Sequence, residues 1–309
     1  MNLNIKREAF ALAIVLWIVV ALLLGSAFIA YMARGELDLS AKLNDKLISK
    51  LEANSIFEKL KYYIMSANFD FTSLIATPET KEALGDFPAK IVVDGRWYKI
   101  KNGYFSIRDL SSMVGLYHPN SEIVARLLAN GDDMRYHTIR DSLLDWIDRD
   151  NFVHLNGAEE SFYRLEKDVV YRPRNNFAIQ SVDELRLVRG VDTISKAKWQ
   201  ELKKELYWKV NRYPYNLFLI DDKLLKLLFN LNFLELDNLK RWKQEEPRKF
   251  SSYLEHNKNF DDRIMGFALS FSFHIKVVSN IDGAESEIDA IIDFRGSNNR
   301  VIIYRYNAI

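Results

Sequence analysis

Oxygen ligands crowd one short stretch of this 309-residue chain. Asp145, Asp148 and Asp150 are followed by Asn151, Asn156, Glu159 and Glu160, which puts five carboxylates within sixteen residues. At that density carboxylates repel unless water or a cation separates them. Hard Ca²⁺ takes about six to eight oxygens from flexible loops, and Asp148, Asp150, Asn156 and Glu159 offer side-chain oxygens of that kind. Asp148, Asp150 and Glu159 stand at positions 1, 3 and 12 of an EF-hand-length window. Phe152 takes the fifth position, however, and Val153 replaces the glycine that the sharp turn needs. An EF-hand is excluded; an irregular calcium loop and a solvated acidic loop neutralised by Arg149 and Arg172 both remain.

Other chemistry finds less support. Paired carboxylates suit general acid–base work, but Asp148 and Asp150 share one loop and no distant partner can be named. Cysteine is absent and the five histidines form no H-E-x-x-H pattern, so disulfides, thiolate nucleophiles and cysteine-ligated zinc are excluded. No G-x-S-x-G elbow, phosphate-binding glycine loop or dinucleotide fingerprint occurs. These patterns name no reaction, and a membrane-anchored hydrolase using the acidic loop stays as one alternative. Ser181–Val191 is similar to half of a helix-hairpin-helix, a backbone grip for DNA. Asp192 stands where the second hairpin glycine belongs, and the net charge of +1 offers no bulk attraction to nucleic acid. A structural hairpin is the simpler reading, and no nucleic acid is expected as a partner. The aromatic cluster Tyr207, Trp208, Tyr213, Tyr215 and Phe218 reads as core.

The elements that must position these residues begin with a membrane segment. Phe10–Ala33 runs 24 residues without a charge, about 36 Å as a helix, against a hydrocarbon core of about 30 Å. A cleaved signal would carry a shorter apolar run of about 7–15 residues. Lys6 and Arg7 precede the segment, which places the N-terminus in the cytoplasm and the bulk of the chain outside it. Leucines at 39, 43, 47 and 51, with Leu60 and Ile64 beyond, predict that one helix continues from about residue 10 to about residue 66. Ile91–Tyr98 holds an Asp94-Gly95 pair between apolar runs and predicts a hairpin. Tyr104–Ile107, the alternating Phe267–Val278, Ile288–Phe294 and Val301–Tyr306 predict further strands. Between the two β blocks the sequence is mostly helical. Tyr136–Ile147, Ser181–Gly190 with a capping box through Glu184, Lys196–Val210 and Leu224–Trp242 predict helices. Helices inserted within a β domain explain that order best, with the first and last strands in one sheet.

Four short motifs occur in register from Asp145 to Val191: D-W-I-D-R-D-N, N-G-A-E-E-S-F-Y, Y-R-P-R-N-N and S-V-D-E-L-R-L-V-R-G-V. In this series the chain resembles the K-type minor pseudopilins of bacterial type II secretion, the general secretion pathway protein K family. Weaker likeness reaches Ile107–Ser111, Asn216–Phe250 and the C-terminal strands. The resemblance departs from the family at Gly115-Leu116-Tyr117 and Tyr215-Asn216-Leu217. It implies an α+β pseudopilin fold: a long N-terminal transmembrane and stem helix packed on an antiparallel sheet, with a large inserted α-helical domain. On this sequence the parts are a leader (1–9), a transmembrane part (10–33) and a periplasmic stem (34–66). They continue as a first β part (67–117), an inserted helical domain (118–260) and closing strands (261–309).

The resemblance further implies an inner-membrane, single-pass protein cut by prepilin peptidase between Ala9 and Phe10, with Phe10 then N-methylated. Ala9 departs from the usual glycine. Ile14 stands where most pilins carry glutamate, as suits a tip subunit with no subunit ahead to pair that charge. The implied partners are I- and J-type minor pseudopilins and the major pseudopilin. The implied cofactor is structural calcium at Asp148, Asp150, Asn156 and Glu159. A type IV pilus or DNA-uptake minor pilin is the alternative host role.

Overall fold

The computed structural model describes residues 3–116, 120–166, 173, 178–208, 214–294 and 302–308. Helix α1 runs from Leu3 to Ser66, roughly 95 Å at 1.5 Å per residue. It starts seven residues ahead of the apolar segment and passes through Gly35 unbroken, since no proline occurs before Pro78. Its upper part is long and apolar enough to cross a membrane, and none of that apolar stretch is buried within the protein.

The stem packs with a face other than the leucine stripe. Leu39, Leu43, Leu47 and Leu51 are exposed, whereas Ser49, Ala53, Ile56, Phe57, Leu60, Tyr63 and Ile64 are buried. Leu51 and Leu60 lie nine residues apart, about half a turn out of phase at 3.6 residues per turn, so the two sets face opposite ways. Two short strands follow, β1 (Asn68–Phe69) and β2 (Ser73–Ile75), then helix α2 (Pro78–Ala83) and strand β3 (Lys90–Val92). β1, β2 and β3 form a small antiparallel sheet. Tyr63 ties the stem to this region through hydrogen bonds from its hydroxyl to Pro88 O and Ala89 O, and burial pushes its pKa up to about 12.

The main sheet has the order β12-β11-β10-β5-β4, all antiparallel, from β4 (Asp94–Ile100), β5 (Gly103–Asp109), β10 (Ser272–Ile281), β11 (Ala284–Asp293) and β12 (Ile302–Ala308). Early and late strands thus share one sheet, as the sequence order suggests. β10 and β11 carry the stem helix. Phe105, Ile107, Phe273, Ile275, Val277, Ile288, Ala290 and Ile292 meet the buried stem residues in one core. Ser49 and Ser279 add a 2.7 Å hydrogen bond across the contact. Ile56→Val removes one methylene from this fully buried site and is expected to cost about 1 kcal/mol, read by chemical denaturation of the full chain in detergent.

The predicted hairpin at Asp94-Gly95 is not formed. β3 pairs with β2, and β4 pairs with β5, so the two runs flanking the pair belong to different sheets. Gly95 (φ +89°) instead sits in a register irregularity of β4, and Asp94 is held by Arg96 through its backbone amide and guanidinium. The tight Asp-Gly turn is at Asp282 (φ +49°) and Gly283 (φ +86°), between β10 and β11. The strand predicted over Phe267–Val278 begins only at Ser272, because Phe271 takes a positive φ of +55° that breaks the alternation.

Between β5 and β10 the chain forms a second core. Its elements are β6 (Val114–Gly115), α3 (Ser121–Ala129), α4 (Asp133–Ile147), α5 (Glu160–Glu166), α6 (Lys196–Leu202) and β7 (Leu206–Tyr207). They continue with β8 (Tyr215–Asn216), α7 (Asp222–Phe229), α8 (Phe233–Glu245), α9 (Pro247–Glu255) and β9 (Met265–Gly266). The single helix expected over Leu224–Trp242 is two: Asn230 ends α7 in the left-handed region, and Asn232 caps α8 in a capping box with Glu235. The helix expected over Lys196–Val210 stops at Leu202, where the chain turns toward β7; Val210 lies outside the described residues. The Ser181 helix is only a 3₁₀ turn, Asp183–Leu187. Ser181 Oγ accepts the Glu184 amide as a capping residue should, but the Glu184 carboxylate turns inward, to Trp146 Nε1 at 3.0 Å and Gln180 N at 2.8 Å. Tyr207, Tyr215 and Phe218 are buried as expected; Tyr213 lies outside the described residues.

Asp109 fastens the two cores together. It is buried at the end of β5 and accepts the Ser111 amide (2.8 Å), the Ser111 hydroxyl (2.6 Å) and the Ser270 amide (2.9 Å). Ser111 lies where the chain leaves the sheet and Ser270 where it returns, so one carboxylate closes the base of the insertion.

Candidate functional site

Helix α4 delivers the acidic cluster. Asp132 caps its start, accepting the Arg135 amide, and Leu143 and Trp146 anchor it in the helical core. This leaves Asp145 and Asp148 at its end, turned to the following loop. Asp145 is fully buried and accepts the His154 backbone amide at 3.2 Å and a close contact from His154 Nδ1. Gly157 makes room for it: a Cβ there would fall 1.9 Å from Asp145 Oδ2. The glycine of N-G-A-E therefore exists to let a carboxylate approach the backbone.

Glu159 is 2% exposed, and neither of its carboxylate oxygens has a hydrogen-bond partner; Asp148 Oδ1 is likewise buried and unpartnered. Burial raises the pKa of Glu159 to about 7, with the charges of Asp145 and Asp148 adding to the effect. Desolvation raises Asp148 too, then the neighbouring Asp150 and Asp145. The Asp145 contact raises His154. Such stranded carboxylates are costly on their own and well suited to a cation.

Of the four sequence-derived ligands, Asp148 and Glu159 carry buried, unpartnered oxygens, and the charge of Asp148 reaches Glu159. Asp150 lies on the exposed rim, its Oδ1 accepting the Phe152 amide, and acts on the cluster only through its charge. Asn156 turns aside: its backbone and side-chain N–H groups both donate to Asp141, which also pairs with Arg140. Asp145 and His154 stand beside Asp148, with donor atoms of the three within 4.8 Å of one another. Asp145 sits three residues before Asp148 on one helix, a spacing that could have signalled a shared face. Arg172, suggested as a neutralising partner, lies outside the described residues, as does most of Y-R-P-R-N-N. Ala9 and Phe10 fall within α1, at positions whose side chains lie outside the described residues.

The motifs that recur in register are in contact here. Trp146 stacks edge-on against Tyr163 and donates to Glu184. Arg189 donates to Gly157 O at 2.8 Å, lies over the Phe162 ring, and gives its amide to the Tyr163 hydroxyl. The hairpin glycine, Gly190, packs its Cα against Ile139 and Thr138 and donates its amide to Asp192. An amide engaged in that way is not offered to a DNA phosphate.

In this fold one helix carries a sheet, and a large helical insert is built around an acidic loop. Residues 103–203 match the family model described as "Type II secretion system (T2SS), protein K". The type II secretion system protein K of Pectobacterium carotovorum subsp. carotovorum is 26% identical over 216 residues, a match covering 63% of this chain and 62% of that protein's length. A chain in the crystal structure of the GspK-GspI-GspJ complex from the enterotoxigenic Escherichia coli type 2 secretion system shares the fold, with a TM-score of 0.56 at 17% identity. That match covers 87% of this chain and 98% of the other. The chain is thus similar to protein K of type II secretion over the segment from β5 to the end of α6, and it spans about three fifths of the length of that curated relative.

Proposed function

We propose that this protein is a non-enzymatic minor pseudopilin that occupies the tip of a short periplasmic filament in a type II secretion system. The observation that carries the reading is the helical lobe set on the main sheet, which is itself carried by the C-terminal end of a single long helix. Helices of this kind bundle when drawn from the membrane, and the exposed leucines at 39, 43, 47 and 51 supply the apolar surface for a bundle. A lobe as large as residues 118–260 leaves no room for a further subunit above it. The apolar Ile14 agrees with that place, since nothing lies ahead to pair a buried charge. The partners on this reading are I- and J-type minor pseudopilins, as in the complex that shares the fold, and the major pseudopilin below. The N-terminus faces the cytoplasm, the first helix lies in the inner membrane, and prepilin peptidase cuts before Phe10.

The acidic loop on this reading is a structural cation site of the calcium kind, held by Asp145, Asp148 and Glu159. When bound, the cation would offset two of the three carboxylate charges and join the end of α4 to the loop and to α5. Asp145 stays fixed by the His154 amide and by the space at Gly157.

Replacing residues 118–260 by a short linker is expected to lengthen filaments in electron micrographs of cells assembling the system. Unchanged length would overturn the capping role. Mass spectrometry of the purified chain is expected to show a methylated Phe10 as first residue; retention of residues 1–9 would overturn the processing.

A further inference from the structure

The face of the main sheet opposite the stem stays exposed over part of β4, β5 and β10. Trp97, Lys99, Tyr104, Arg108 and Lys276 alternate there with the core positions, and Trp97 and Tyr104 are 52% and 42% exposed. β5 and β10 put no carboxylate on this face. Where the face meets the helical lobe it forms a hollow of about 450 Å³, walled by Trp97, Ser106, Arg108, Lys204, His274 and Lys276. The acid at its rim, Asp94, is held by Arg96. The Arg108 guanidinium is engaged by Glu205 and Ser112 and donates to the Lys204 carbonyl at 2.9 Å. It therefore fixes the backbone of Lys204 instead of offering itself to a ligand. The exposed Lys204 ammonium has no hydrogen-bond or ion-pair partner among the described residues. Lys276 reaches Asp289 only at 3.5 Å and shares it with His274. Two ammonium groups thus line one hollow beside an exposed indole, a combination that seats a carboxylate and covers the chain that carries it.

The hollow also lies along an edge. β4 pairs with β5 on one side and is the last strand of its sheet on the other. An extended peptide laid along such an edge pairs main chain to main chain, and pockets for alternate side chains select its sequence. Side chains two apart on a strand stand on one face, about 6.6 Å from each other, which is the step from Trp97 at the hollow to Lys99 beyond it. We propose that β4 and this hollow form a docking groove for an extended acidic segment of another polypeptide. Carboxylates at alternate positions match the groove, one of them seated between Lys204 and Lys276 against Trp97. A peptide suits the groove better than a small anion does, because the strand edge offers main-chain groups that a small anion leaves unused. The inference stands apart from the filament and cation readings above.

The test is fluorescence anisotropy of the full chain in detergent with three labelled peptides, alternating valine with glutamate, glutamine or lysine. At low salt the glutamate peptide is expected to bind at least about tenfold more tightly than the other two, and to lose most of that margin at about 0.5 M NaCl. Lys204→Glu together with Lys276→Glu should weaken it at least about tenfold, and Trp97→Ala at least about threefold. Lys258→Glu, just past α9 and outside the hollow, should leave it in place. Of two N-methylated glutamate peptides, one modified at the valine amides and one at the glutamate amides, one should lose binding and the other keep it, since only alternate amides face a strand edge. Equal binding of the glutamine peptide, indifference to the double lysine variant, or an equal response to the two methylations overturns the proposal. Oligogalacturonate displacing the peptide at a lower concentration than unlabelled peptide does would make the groove a glycan site and overturns it too. Should the charge reversal disturb folding, the peptide ranking and the two methylated peptides on the unaltered chain decide the matter.

Discussion

In EDTA, the full chain in detergent loses stability as the pH rises from about 4.5 to about 7, the window between the ordinary and the native pKa of Glu159. The sign follows from proton counting. Over that interval native Glu159 keeps its proton and unfolded Glu159 has lost it, so each unit of pH favours the unfolded chain. The raised pKa corresponds to a loss on the order of 3 kcal/mol. Asp148, also raised, contributes in the same direction. So does His154, whose stabilising contact with Asp145 is present at low pH and fades as the pH climbs through its raised pKa. Glu159→Gln should remove most of the slope. A saturating divalent ion should flatten it as well, because the bound cation stabilises the ionised carboxylates. Denaturation midpoints at pH 5 and pH 7.5, with and without EDTA, are the measurement; a midpoint in EDTA that does not fall with pH would show that the Glu159 carboxyl is not stranded.

Asp109→Ala is expected to destabilise the protein by about 4 kcal/mol. The carboxylate accepts three hydrogen bonds from buried donors, and its loss leaves the Ser111 amide, the Ser111 hydroxyl and the Ser270 amide without it. Each buried donor left unmade costs about 1–3 kcal/mol. Asp109→Asn keeps one acceptor oxygen and should lose roughly half as much. Because the residue joins the point where the chain leaves the sheet to the point where it returns, Asp109→Ala should also expose the base of the lobe to proteases before the stem is cut. Urea denaturation with parallel limited proteolysis checks both; a loss below about 1 kcal/mol would mean the three bonds are made to water instead.

Much of the architecture was legible in the residues. The uncharged run from Phe10 to Ala33 and the absence of proline before Pro78 dictated one long helix. Alternation over Phe273–Val277 and around Ile288–Ile292 dictated sheet strands with one buried face. The order of blocks dictated that helices interrupt a sheet. The acidic loop was also visible, since charge density is a local property.

The rest depended on contacts between distant segments. Two Asp-Gly pairs look alike in sequence, yet only Asp282-Gly283 turns a hairpin. The choice lay in the partners of the flanking strands: β3 found β2, and β4 found β5. The stem's packing face was decided by which side met β10 and β11, and that left the more regular leucine stripe outside. Asp145 and His154 came beside Asp148, and the N–H groups of Asn156 turned to Asp141, because the loop folds back onto the end of α4 through the gap that Gly157 leaves. Sequence fixes what each segment can form alone, through charge, periodicity and backbone preference. Only the packed chain assigns partners, because burial rewards the whole arrangement rather than any one segment.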